Sequence, residues 1–279
     1  MATRAGGREQ KRAEACVCGA SGQSGSMRKL TPWLTGWLLL AGTLRADRVD
    51  DLVRLHLAAI GGTEKVQALR ALRSTGVTQA QGRQLHFVFW AARPNLVRLE
   101  QSAEGRMLTE GYEGKGNPWV LDMKTQEVLA LGSEAGRAFI DDAEFDDPLV
   151  AGKERHFTID FEGEMEANGH RTIRLLITQN LTGTCHLVLD GSTYLILRKE
   201  STRAGMLGEE KVETVYSDYR LVAGVIVPYH ITESVGGKVQ HEITLESVEA
   251  NPTLPPDIFS PPPKPGKDLP PASGPAKED

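Results

Sequence analysis

Residues 84–91 (QLHFVFWA), followed after Arg93-Pro94-Asn95 by residues 96–101 (LVRLEQ), decide how this chain is to be read. Leu85, Phe87 and Phe89 fall on one side of an extended chain by simple alternation, and Val97 and Leu99 do the same in the next segment. Successive side chains of a strand point to opposite faces, so a period of two marks a strand with one buried face. Working outward, the same period begins near Ser74 and recurs over residues 106–111, 119–122 and 127–131. There Trp119 and Leu121 are again in phase. After an interruption it resumes over residues 157–165, 171–179, 184–190, 195–201, 211–219, 225–234 and 239–248. Short Gly-, Asn- or Asp-bearing turns separate these segments, such as Ala167-Asn168-Gly169-His170 and Asp190-Gly191-Ser192. Eleven or twelve strands with hairpin connections and no helical crossovers predict one meandering antiparallel sheet.

Helical spacing is confined to a few places. Residues 48–60 (RVDDLVRLHLAAI) put Val49, Leu52, Val53, Leu57 and Ile60 on one face, and Gly61-Gly62 provides a stop. His56 in this helix reads as a satisfied boundary residue. Thr63 is the expected N-cap of a second short helix carrying Val66, Leu69 and Leu72. The interruption, residues 133–152 (SEAGRAFIDDAEFDDPLVAG), offers a helical turn bearing Phe139 and Ile140, then the acidic pairs Asp141-Asp142 and Asp146-Asp147. It reads equally as a lid over a cavity or as a loop at the domain edge. So few helices cannot cover a dozen strands. The expected class is therefore α+β, mainly β, with a curved, unclosed sheet whose inner face is a filled core or a ligand site.

Residues 1–46 do not read as fold. Met27-Arg28-Lys29, the apolar run from Trp33 to Ala41, and Leu44-Arg45-Ala46 match the basic, apolar and small-residue parts of a secretory signal peptide. Met27 is then the expected start, with 47–260 a single domain and 261–279 a disordered Pro-rich tail. Cys16 and Cys18 fall in the leader and leave Cys185 alone, which excludes an internal disulfide or a cysteine metal cluster in the exported chain. The chain carries 32 Lys/Arg and 37 Asp/Glu, and seven of those bases but only two acids precede Asp47. The remaining net charge of −10 argues against nucleic-acid binding, which depends on neutralising phosphates.

Motifs for chemistry are lacking. There is no nucleophile elbow, phosphate loop, dinucleotide fingerprint or zinc-type His/Glu pairing, so no catalytic residue, cofactor or metal is expected. The aspartates of the interruption lack calcium-loop spacing and read as a solvated turn. Asn180-Leu181-Thr182 fits a glycosylation acceptor by pattern alone.

Trp90-Ala91-Ala92-Arg93-Pro94-Asn95-Leu96-Val97-Arg98-Leu99, then Tyr112-Glu113-Gly114 and the strand from Trp119 to Asp122, resemble the LolA-type periplasmic lipoprotein carriers. Phe259-Ser260-Pro261-Pro262 resembles that family's closing segment. Ser217-Asp218-Tyr219-Arg220 through Val225-Ile226-Val227-Pro228 is similar to the wider outer-membrane lipoprotein-sorting group. The resemblance covers most of residues 48–262. It implies an eleven-stranded half-barrel, closed by helices, whose apolar inner face takes acyl chains. It matches Arg93 to an arginine that hydrogen-bonds the lid backbone and holds the empty cavity shut. Val97 stands where the family has a phenylalanine, Glu113 where it has an aspartate, and Gly116-Asn117-Pro118 lengthen a turn.

The expected ligand-binding set is thus Arg93, Val97, Leu99, Phe87, Phe89, Trp119, Leu121, Phe139 and Ile140. The expected activity is a monomeric, non-enzymatic periplasmic carrier of a lipid or acylated lipoprotein, with transient membrane-protein donors and acceptors. The alternatives are a lipid sensor or scaffold acting on a regulatory protein and, with least support, a hydrolase working in the cleft.

Overall fold

A computed structural model describes residues 37–103, 105–122, 124–167, 169–179, 183–205 and 208–263. Most of the expected leader (with Cys16 and Cys18), the Asn180-Leu181-Thr182 pattern and the tail beyond Pro263 lie outside the described residues. One compact unit begins at Ala41. Helix α1 (Trp37–Ala59) and α2 (Thr63–Ala68) lead into β1 (Ala71–Ala80), β2 (Arg83–Ala92), β3 (Leu96–Ala103), β4 (Arg106–Glu113), β5 (Trp119–Asp122) and β6 (Glu127–Ala130). Then come α3 (Ser133–Asp142), α4 (Pro148–Arg155), β7 (Thr158–Ala167), β8 (His170–Gln179), β9 (Gly183–Asp190), β10 (Ile196–Gly205), β11 (Gly208–Val222), β12 (Val225–Val235) and β13 (Lys238–Ala250).

All the strands form one antiparallel sheet in the order β6-β5-β4-β3-β2-β1-β13-β12-β11-β10-β9-β8-β7. It is two meanders, β1–β6 and β7–β13, running outward in opposite directions from the seam where β1 pairs with β13. β6 and β7 remain as free edges, so the sheet is an open, curved half-barrel. Thirteen strands among the described residues exceed the eleven or twelve expected because the sequence does not mark β1 as a strand. Its inner positions are Ser74, Gly76 and Thr78, small or polar residues that give no apolar alternation. They are small for a reason: a Cβ on Gly76 would sit 3.0 Å from the Phe87 ring and 2.2 Å from the Thr244 carbonyl oxygen.

Two helical expectations need correction. Helix α2 ends at Ala68, and Leu72 belongs to β1. Gly62 rather than Thr63 takes the N-cap position, and no side chain caps it. Gly61 ends α1 because its backbone lies against the β11–β12 turn. At φ 130° a Cβ there would come within 2.3 Å of the Gly224 carbonyl oxygen, and the neighbouring Ile226 amide donates to the Ile60 carbonyl at 2.8 Å.

Among the described residues, helices cover one face of the sheet. Directly paired residues of antiparallel strands share a face, so the row Leu85–Thr78–Ile243–Ile231–Tyr216 lies on a single side of the sheet. Tyr216 packs against a cluster of Ile173, Leu175, Ile177, Cys185, Leu187 and Leu189 under Leu52 of α1 and Leu149 of α4. Leu85 is in phase with Phe89 and Ala91, which pack with Val97, Tyr112 and the α3 residues Phe139 and Ile140. Between these clusters, Ile60, Val66 and Leu69 sit on Val225 near the strand seam. This helix-bearing side is called the inner face below.

Candidate functional site

The two ends of the inner face are covered to different degrees. Beneath α1 and α4 nothing is left open: Leu175, Ile177 and Leu189 are 0 % exposed. At the other end α3 and its C-cap present Phe139, Ile140 and Ala143 to β2–β4, while Gly136 lies against Pro118 and Leu131. Under it the row Leu72–Ala91–Val97–Tyr112 is largely buried, with Val97 at 2 % exposure. The next row outward runs Phe89–Leu99–Glu110–Val120–Leu129 across β2 to β6. Phe89, Leu99 and Val120 are half-buried, Leu129 is 46 % exposed, and Leu108 beside it is 39 % exposed. The core is complete in one row and unfinished in the next.

Seven of the nine expected site residues meet here. Phe87, Phe89, Val97 and Leu99 share the inner face, with Phe87 and Val97 buried and the other two partly open. Phe139 and Ile140 face them from α3. Arg93 stands at the end of the same site, in the β2–β3 turn.

Trp119 and Leu121 do not join them. They pair with Gly111 and Thr109, which alternate with the inner-face residues Glu110 and Tyr112, so both lie on the outer face. Trp119 is buried there because Gly111 leaves room for its ring, 2.4 Å from where a Cβ would stand. Arg98 lies over the ring, 5.6 Å from its centroid. The indole N–H donates to the Phe259 carbonyl at 3.0 Å and Arg98 to the Ile258 carbonyl at 3.2 Å. The C-terminal segment is thereby strapped to the outer face, beside a groove of 380 Å³ lined by Leu96, Glu113, Leu254 and Phe259 among others. Phase within a strand was legible; which face that phase meant was not, because the lengthened β4–β5 turn sets it.

Arg93 is tied down on two sides. It donates to the Val66 carbonyl of α2 at 2.7 Å and to Asp146 Oδ1 in the α3–α4 link at 2.7 Å. Its guanidinium also lies 5.1 Å from the Phe145 ring centroid. It therefore reaches the interruption through a carboxylate, and its backbone contact is to α2 rather than to a lid strand. Burial raises the Asp146 carboxyl to about 6 despite the opposing pull of Arg93, with Asp147 and the nearby glutamates pushing the same way as burial.

The neighbouring aspartate makes a second clasp that the sequence reading missed. Asp147 caps α4 by accepting from the Leu149 and Val150 amides, with Pro148 at the first helical position. An Asp-Pro pair at the start of an apolar turn is an N-terminal signal that could have found this helix. Asp147 Oδ2 also lies 3.1 Å from His56 Nε2, and His56 Nδ1 lies 2.8 Å from the Tyr194 carbonyl. His56 is buried at 2 % exposure rather than at a boundary. Both its partners are acceptors, so each ring nitrogen is placed to donate, an arrangement that favours the imidazolium. Burial opposes that charge, but Asp147 and the carbonyl outweigh it and raise the His56 pKa. Burial likewise pushes Asp147 up, and His56 with the two amides outweighs it and holds the carboxyl below its ordinary range. Asp146 and Asp147 are thus engaged by Arg93 and His56, not left as a solvated acidic turn. The side chains of Asp141 and Asp142 lie outside the described residues.

No family model matches the chain, and no curated protein matches it. Solved structures do. A putative outer-membrane lipoprotein-sorting protein domain from Vibrio parahaemolyticus superposes with a TM-score of 0.54 at 10 % identity, covering 75 % of this chain and 95 % of that one. A DUF1329 family protein from Desulfovibrio piger gives 0.53 at 13 %, covering 76 % and 96 %. A LolA superfamily protein from Nitrosomonas europaea gives 0.50 at 14 %, covering 71 % and 94 %. The fold is that of the LolA and lipoprotein-sorting domains: a mainly β, unclosed half-barrel with a few helices on its inner face.

Proposed function

We propose that this protein is a non-enzymatic periplasmic carrier that holds the acyl chains of a lipid or lipoprotein between α3 and the inner face of β2–β6. One observation carries the reading: the row Phe89, Leu99, Val120 and Leu129 continues a packed core into the open, where α3 leaves it only partly covered. Each methylene buried on such a surface is worth about 0.8 kcal/mol, so a short stretch of acyl chain gives useful affinity. The sharing of this fold with lipoprotein-sorting domains supports the same ligand class. Arg93 and Asp146 fix the link that follows α3, so they set how far that helix opens. The export signal read in residues 27–46 supports a periplasmic site of action, with membrane proteins as transient donors and acceptors.

The test is native mass spectrometry of protein purified from an exported preparation, with organic extraction of what co-purifies. The expected result is bound lipid or acylated peptide, lost in a Leu99→Asp variant that keeps its fold. A protein that is empty, and stays empty when offered lipids, sinks the reading. Bound lipid that never passes to acceptor vesicles marks a lipid sensor instead of a carrier.

A further inference from the structure

The unfinished row contains one residue that does not belong in a core. Glu110 sits directly between Leu99 and Val120, with Phe89 and Leu129 at the ends of the same row. It is half-buried, and among the described residues no cation or hydrogen-bond donor meets its carboxylate. Burial alone moves its pKa above the ordinary glutamate value. A carboxylate held on an apolar surface without a partner costs stability, since the charged form has lost water and gained nothing in return. An ordinary core position would carry leucine or valine here.

The surroundings give the missing partner a sign. Asp122 and Glu127, paired with each other, lie one row out on the same face. Among the described side chains of β3–β6 the inner face holds no lysine or arginine: Arg98 is on the outer face, strapped to Ile258 and Glu100. Arg93, in the adjoining turn, is taken by Asp146, and Arg137 of α3 is exposed. An anionic head group entering this row meets the carboxylates of Glu110, Asp122 and Glu127 first; Arg106, whose side chain lies outside the described residues, shares the face only at the far end of β4. An ammonium or other N–H donor finds Glu110 waiting in a partly dry site, where such a pair is stronger than in water.

We propose that Glu110 makes the inner face selective for amphiphiles whose head is an amine-type cation, and discriminates against anionic amphiphiles of equal chain length. The inference rests on the acyl-binding reading above and specifies its ligand class. Glu110 is the polar reader, while Phe89, Leu99, Val120 and Leu129 supply the apolar contact.

Delipidated full-length protein is titrated at neutral pH with dodecylamine, dodecanol and dodecanoate, three probes with the same chain and a positive, neutral or negative head. The amine is expected to bind about tenfold more tightly than dodecanoate, with the alcohol between them. Glu110→Gln keeps the shape, so it should bring the three within about threefold of one another, and Glu110→Lys should reverse the order. Glu113→Gln, the same charge change on the outer face, should leave the order intact and controls for net charge. If the alcohol binds but the order survives Glu110→Gln, or if Glu113→Gln disturbs it equally, the role of Glu110 is refuted while the acyl-binding reading stands. If none of the three binds, the acyl-binding reading itself falls and this inference falls with it.

Discussion

The two ends of the inner face are built from the same materials and finished differently. Under α1 and α4, strands β8 and β9 contribute Ile173, Leu175, Ile177, Leu187 and Leu189, all almost fully enclosed. Under α3, strands β2–β6 contribute one enclosed row and then a second row that ends in partly exposed apolar side chains and a glutamate with no partner among the described residues. The chain can seal such a face, as the first end shows. Leaving the second unsealed sacrifices burial worth about 25 cal/mol per Å², which an occupying ligand restores. One end therefore supplies stability, and the other is the surface proposed above to bind.

The sharpest break of this comparison is Ile177→Ala at the sealed end. It should cost about 4 kcal/mol in denaturant unfolding, by loss of transfer energy plus a cavity, yet leave apolar-ligand affinity of the folded fraction unchanged. His56→Ala comes next. It takes the imidazole partner from the part-buried Asp147 carboxylate, leaves a cavity under α1 and should cost about 3 kcal/mol. The pH dependence has a defined sign. His56 has a raised folded-state pKa, so its contribution is fully present below its unfolded value of 6.5 and is lost as pH rises through the folded value. Asp147 is depressed, so its share is present above 3.8 and is lost as pH falls through its lowered folded value. Thermal melts from about pH 6 to about pH 9 should show stability declining in the wild type. A His56→Gln variant should keep only the small decline near pH 6 that the raised Asp146 carboxyl contributes and be flat above about pH 7.5, and an equal decline in the variant at the higher pH would remove His56 as the cause.

At the open end the balance reverses. Leu99→Ala should cost only about 1 kcal/mol of stability, because that side chain is only partly enclosed, while weakening acyl-chain binding about fivefold. Equal losses of stability at Leu99 and Ile177 would erase the distinction between the ends. The smallest effect is expected on the outer face, where Trp119→Phe removes one hydrogen bond to Phe259 for about 1 kcal/mol and leaves ligand affinity untouched.

Most of the fold could be read from residues 84–101 outward, since alternation of large apolar side chains is a direct consequence of the pleat. Where the alternation is carried by Ser74, Gly76 and Thr78 the signal vanished, because those positions are small to admit Phe87 and Phe89 from the neighbouring strand. The site was legible in β2, β3 and α3 and lost at β5. A strand's phase is internal to it, but its face depends on the turn before it, and residues 114–118 put Trp119 and Leu121 outside while turning Val120 inward. Glu110 escaped notice for a related reason: a glutamate in a half-polar strand looks like a solvent-facing residue until its neighbours are known. The His56–Asp147 clasp joins residues far apart in the chain, and only the α4 cap signal at Asp147-Pro148 hinted at it.

The strand order also bears on how the chain assembles. Within each meander every strand pairs with its neighbour in sequence, so the pairings form from short, fast-closing loops. The seam is different: residues 71–80 must find residues 238–250 across nearly the whole length of the domain. Contacts of such high sequence separation are the slow ones in folding. Until the seam forms, each meander exposes an extra unpaired strand, β1 or β13, to other chains. The joining of β1 to β13 is thus the step at which a newly made chain is most exposed to misassembly, and the one a folding helper would have most reason to guard.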